Sequence, residues 1–154
     1  MDPKDEAKAM RKWWRYVGAV ALMAALAALT GCRAEAEAPE VQWRSDYEAA
    51  LAEAKAAGKP AVIEFTASWC AQCQQLKRET LEAPEVRRAL QGFVAIRLDG
   101  TASVEAIEAW MTRHAVEAFP AVVFVSSRGE VLAAPRVEGP LSPAAFVALL
   151  QEVD

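Results

Sequence analysis

The chain predicts an α/β fold: a mixed central β-sheet flanked by helices on both faces. Three observations carry that expectation. The runs Ala61–Ala67 (AVIEFTA), Phe93–Asp99 (FVAIRLD) and Ala121–Ser126 (AVVFVS) are almost continuously apolar, as strands covered on both sides are. Segments of helical periodicity stand between and around them. The resulting order, α, β, α, β, α, β, β, α, requires crossover connections and one closing hairpin, which puts helices on both sides of the sheet.

The first helix is expected over about Asp46–Ala57. Ser45 with Glu48 three residues on reads as a capping box; Tyr47, Ala50, Leu51 and Ala54 recur at helical spacing, and Gly58 and Pro60 end the segment. The strand Ala61–Ala67 follows Lys59-Pro60. A second helix opens at the cysteine pair and ends near Leu81, and Pro84 opens a further short turn through Leu90. After Phe93–Asp99, the spacing of Val104, Ile107 and Met111 predicts a helix from about Ser103 to His114, with that stripe facing the core and His114 completing the C-terminus. The strand at Ala121 is joined through Ser127-Arg128-Gly129-Glu130 to a partner over Val131–Val137. Ser142 as N-cap and Pro143 in the first helical position begin the last helix, which buries Phe146, Leu149, Leu150 and Val153.

Of 154 residues, 17 are basic and 21 acidic, and 54% are hydrophobic, a balance suited to one folded domain. Residues 1–31 carry five bases against three acids, and the rest carries 12 bases against 18 acids. An acidic body without a basic cluster or an interleaved aromatic stripe argues against nucleic acid as a partner.

The N-terminus reads as an address. Val17–Leu29 is a run of 13 uncharged residues, preceded by Arg11, Lys12 and Arg15 and closed by Leu29-Thr30-Gly31-Cys32. A basic region, a short apolar region and small residues before a cut form an export signal, and the run is short for a typical spanning helix. Leu-Thr-Gly-Cys resembles the lipobox of bacterial lipoproteins. That resemblance implies a diacylglycerol on Cys32, a mature chain beginning there, and a signal peptide over residues 1–31. The competing reading is an uncleaved membrane anchor with a bystander cysteine; both tether the body outside the cytoplasm. A start at Met10, giving MRKWWRY, makes a more ordinary signal than Met1 does. Residues 32–42, with the small, charged run RAEAEAPE, are expected to form a flexible tether, and residues 43–154 the domain.

Cys70-Ala71-Gln72-Cys73 directly follows a strand and opens a helix. A thiol at a helix N-terminus meets unpaired N–H groups that favour its thiolate, and a second cysteine one turn on can close a small disulfide ring. Only the first of the two can be well exposed. Zinc would need four ligands, whereas the sequence offers this pair and the distant His114, so no metal is expected. A purely structural disulfide stays open as the plainer alternative.

The run Val62–Leu81, VIEFTASWCAQCQQLKRETL, resembles the thioredoxin superfamily. Within it, about Tyr47 to Val153 is similar to the C-terminal periplasmic domain of the DsbD family of thiol:disulfide interchange proteins. Trp69-Cys70-x-x-Cys73, Ala83-Pro84-Glu85-Val86, Leu98-Asp99 with Thr101, and Phe119-Pro120 carry that likeness. The resemblance implies a thioredoxin-like fold and a cis-proline at Pro120 facing the cysteines. A cis bond there would expose the Phe119 backbone for pairing with an extended substrate; the alternative is an ordinary trans proline at a strand start. It also implies substrate contact at Trp69. Glu64 stands where the family usually carries a buried aspartate beneath the disulfide. A carboxyl inside an apolar strand has a raised pKa and can exchange protons with Cys73; the alternative places Glu64 on the solvent face of an edge strand. Lys77, one turn past Cys73, replaces an acid of the DsbD-type domain and is expected to favour thiolate.

These readings converge on a lipid-anchored, extracytoplasmic thiol-disulfide oxidoreductase. Cys70 attacks, Cys73 resolves, Glu64 handles protons, and no metal or organic cofactor is called for. Likeness to a reductant implies net reduction of protein disulfides. With no multi-span segment in the sequence, electrons are expected from a separate membrane or periplasmic donor. An oxidase or isomerase, and a binding module merely stapled by the cysteines, are the alternatives.

Overall fold

The computed structural model describes residues 37–153. Cys32 and the expected signal lie outside them. Five strands and five α-helices follow one another: β1 Trp43–Arg44, α1 Tyr47–Ala57, β2 Ala61–Thr66, α2 Ala71–Leu76 running into a π-helical turn over Lys77–Leu81, α3 Pro84–Ala89 with a 3-10 turn over Leu90–Gly92, β3 Val94–Asp99, α4 Glu108–Arg113, β4 Ala121–Val125, β5 Val137–Glu138 and α5 Pro143–Leu150. The sheet runs β1-β3-β2-β4-β5, parallel among β1, β3 and β2 and antiparallel across β4 and β5. The mixed sheet is therefore as expected.

Alternation along β2 divides the core. Ala61, Ile63 and Phe65 pack with Tyr47, Ala50 and Ala54 of α1 and with Ile107, whereas Val62 packs with Leu76, Val86, Phe124, Phe146 and Leu150 on the opposite face. Each fully buried large side chain, such as Phe124 and Phe146, contributes about 1.5–3 kcal/mol relative to exposure.

Several boundaries differ from expectation for local reasons. The cap of α1 is Asp46, not Ser45: its extended backbone lets its carboxylate accept from the Ala49 N–H at 3.0 Å, and Glu48 falls in the first turn, where the helix dipole favours an acid. Gly58 closes α1 at φ +61°, a left-handed conformation costly for a residue with a Cβ. The helix expected from Ser103 is confined to Glu108–Arg113. Ser103 accepts from the Ala106 N–H and donates to Glu105, so the side chain competes with the helix, and of the expected stripe Ile107 is buried while Val104 is not. The helix expected to reach Leu81 widens into its π turn, where buried Thr80 gives its hydroxyl to the Leu141 carbonyl. The partner strand expected over Val131–Val137 is interrupted: Val131 opposes Val125 and Val137 opposes Val122, so the intervening segment, with Pro135 lacking a donor, bulges out of the ladder. β1 is an edge strand that periodicity missed. The expected tether also ends sooner, because Ala38 is buried and Val41 packs against the Val62 side of the core.

His114 caps the end of α4 and is buried, with Nε2 at 2.6 Å from the Tyr47 hydroxyl and its ring edge-on to Phe65. Burial, with Arg113 and Arg136 adding to it, lowers its pKa to about 4. A depressed histidine stabilises the fold fully above its unfolded value near 6.5 and less as pH falls toward 4, a difference of about 2–3 kcal/mol. In urea unfolding, His114→Gln should lie below wild type at pH 7 and approach it at pH 4.5; a constant gap would show that the neutral imidazole is not what is stabilising.

Candidate redox site

Cys70 and Cys73 are joined by a disulfide across a Cα separation of 5.2 Å. Cys70 is the N-cap of α2: its backbone is extended, and its Sγ accepts from the Cys73 N–H at 3.1 Å. The first sulfur thus sits against a helix-end amide, the environment that favours a thiolate. Cys73 is fully buried, whereas Cys70 is half-exposed.

The loop between β2 and α2 is fastened from three sides. The Gly100 N–H donates to the Thr66 carbonyl at 2.9 Å, the Ser68 N–H to Thr101 Oγ1 at 2.8 Å, and the Gln74 side chain to the Ala67 carbonyl at 3.2 Å. Thr101 is itself oriented by Asp99, whose carboxylate accepts from its N–H at 2.8 Å. On this loop Trp69 is 61% exposed, its ring 5.8 Å from that of Phe119. A Cβ on Gly100 would lie 3.1 Å from the Phe119 ring, so the absence of a side chain there lets Phe119 sit down beside Trp69.

Phe119-Pro120 is a cis peptide, as is Ala134-Pro135. Phe119 and Pro120 line a groove of about 470 Å³ together with Gln72, which lies between the two cysteines.

Glu64 is 1% exposed in the central strand, not on an edge, and β2 alternation turns it to the same face as Val62, the face that α2 covers. Burial raises its pKa; Arg97 and Lys77 oppose that rise. Arg97 is the residue sequence reasoning missed. It lies opposite Glu64 in the β2–β3 register, donates to it from Nε at 2.7 Å, and stacks its guanidinium 4.2 Å over Trp43. The available signal was a lone cation inside FVAIRLD, matching the lone carboxylate inside AVIEFTA. Lys77 stands on the π turn, 3.8 Å from Glu82, and borders with Arg97 and Trp43 a second cleft of about 380 Å³. The structure therefore joins Cys70 with Cys73, Trp69 with Phe119, Phe119 and Pro120 with Gln72 along the groove, and Glu64 with Arg97.

The sequence profile of the thioredoxin-like family matches residues 42–127. The thiol:disulfide interchange protein DsbD of Cronobacter sakazakii is 33% identical over 150 residues, covering 90% of this chain and 26% of that protein. The chain spans about a quarter of that relative's length. Among solved structures, a thioredoxin from Thermus thermophilus aligns with a TM-score of 0.63 and 28% identity over 74% of this chain and 87% of its own. The C-terminal domain of Neisseria meningitidis DsbD in its reduced form aligns with a TM-score of 0.60 at 24% identity, over 73% of this chain and all of its own, a likeness of fold.

Proposed function

The chain belongs to the thioredoxin-like family, and from that premise we propose that it is an extracytoplasmic thiol-disulfide oxidoreductase that reduces protein disulfides. The observation that carries this reading is the half-exposed Cys70 at the start of α2, with Cys73 buried behind it and an open groove beside it.

In the reduced protein, the Cys70 thiolate attacks one sulfur of a substrate disulfide; a mixed disulfide forms and one substrate thiolate leaves. Cys73 then gives up its proton, its sulfur attacks Cys70 Sγ, and the second substrate thiolate is released as the internal disulfide closes. Two electrons pass to the substrate, whose thiolates take up protons. Glu64 is the acceptor for the Cys73 proton: burial on the α2 side of the sheet keeps its basicity above that of an exposed carboxylate. Trp69, Phe119 and Pro120 contact the substrate, and Lys77 adds a positive charge that favours thiolate. A separate membrane or periplasmic dithiol returns the protein to its reduced form.

Equilibration with glutathione buffers tests the reading. A reductant of this kind should show a potential between roughly −300 and −200 mV; a value well below −300 mV would make the disulfide a structural staple, and one near −120 mV an oxidant.

The same proposal includes cleavage after residue 31, a lipid on Cys32 and a short tether to the domain, supported by the Leu-Thr-Gly-Cys sequence after the apolar run. Mass spectrometry of the membrane fraction should find an acylated N-terminal Cys32. An intact, unacylated Met1 or Met10 terminus would mean an uncleaved anchor instead.

A further inference from the structure

The groove beside the cysteines has a charge pattern of its own. Small residues, Ala115, Ala118, Ala121 and Gly139, are among its lining, and its volume of about 470 Å³ lies within the roughly 300–1,000 Å³ range of ligand sites. Two carboxylates, Glu117 and Glu138, stand along it.

The neighbouring arginine is shared between Glu138 and two backbone carbonyls. Arg136 donates from its two Nη atoms to the carbonyls of His114 and Ala115, both at 2.9 Å, and reaches Glu138 through Nε at 3.4 Å. Its side chain is 22% exposed while that of Glu138 is 70% exposed, so the cation is held at the base of the loop and the carboxylate projects outward. Glu117 is exposed and has no ion pair with any described residue. The loop that carries it is fixed: the Val116 N–H bonds the Met111 carbonyl at 2.8 Å, and Ala115 is held at φ 50° between that bond and the two from Arg136. Glu117, unpaired among the described residues, and Glu138, shared with Arg136, thus both present exposed carboxylates to the groove.

We propose, on the basis of the reductase reading above, that this groove selects extended polypeptide segments carrying a lysine or arginine close to the disulfide-bonded cysteine, with Glu117 and Glu138 as the specificity-determining residues. Contact with two solvated carboxylates adds little binding energy per pair but acts on encounter and orientation, and it is screened by salt.

The test uses the reduced full chain and three disulfide-bonded peptides, identical except for Lys, Gln or Glu next to the cysteine. The Lys peptide should be reduced about 3- to 10-fold faster than the Glu peptide at low ionic strength, as expected for exposed charge pairs. The contrast should shrink in concentrated salt and in Glu117→Gln, and reverse in Glu117→Lys. Equal rates for all three peptides in wild type, or a ranking unchanged in Glu117→Lys and Glu138→Lys, would overturn the proposal while leaving the reductase reading intact. If the Gln peptide is not reduced at all, the reductase reading fails and this proposal falls with it.

Discussion

Cys73→Ser is expected to accumulate stable mixed disulfides with its substrates in cells, while Cys70→Ser traps few and loses disulfide reduction by on the order of a thousandfold or more, as nucleophile deletions do. The asymmetry comes from the helix start. Cys70 accepts the Cys73 amide and is partly exposed, whereas Cys73 is fully buried behind it. Without Cys73 the first exchange still runs, and the mixed disulfide has no internal thiol to resolve it. Non-reducing electrophoresis after acid quenching reads both variants. Equal trapping by the two, or by neither, would move weight to a stapled binding module.

Arg97→Leu should be the most damaging substitution outside the cysteines. It leaves the Glu64 carboxyl buried without its partner at 2.7 Å, and removing one member of a buried ion pair costs about 3 kcal/mol. The deficit has a defined pH dependence. Glu64 already has a folded pKa raised above its unfolded value, so its contribution is complete below about 4.3 and declines as pH rises through the folded value. Losing Arg97 raises that value further, so the deficit should be larger at pH 8 than at pH 5. Adding Glu64→Gln should restore most of the loss at pH 8. Urea unfolding of the four combinations decides: an equal deficit at both pH values, without rescue, would mean that Arg97 matters for its packing on Trp43 and not for its charge. Glu64→Gln alone separates structure from chemistry. As a proton acceptor it should slow mixed-disulfide resolution between pH 6 and 8, and an unchanged rate would leave it only the partner of Arg97.

That ion pair also marks where reading the sequence stops. Long apolar runs and the cysteine pair at a strand-to-helix junction are local signals, and the mixed sheet and the position of Phe119-Pro120 before β4 follow from them, whereas the burial of Glu64 was legible only through the family resemblance. The partner of Glu64 depends on the register between β2 and β3, which is settled by packing between segments 33 positions apart. The contacts of Thr101 with Ser68 and of Tyr47 with His114 are of the same kind. Where local patterns misled, a polar side chain chose a nearer partner: Asp46 displaced Ser45 as cap, and Ser103 drew Val104 out of α4. β1 escaped notice because two residues are too few to show a period.

The brevity of the outer strands has its own consequence. β1 and β5, the two borders of the sheet, are each two residues long, and Arg97 stacks over Trp43 at one of them. Long unpaired borders template the growth of foreign strands and lead to aggregation. A protein whose proposed work brings incompletely folded chains to its surface is exposed to that hazard more than most. Borders this short offer a visiting chain almost no backbone to copy.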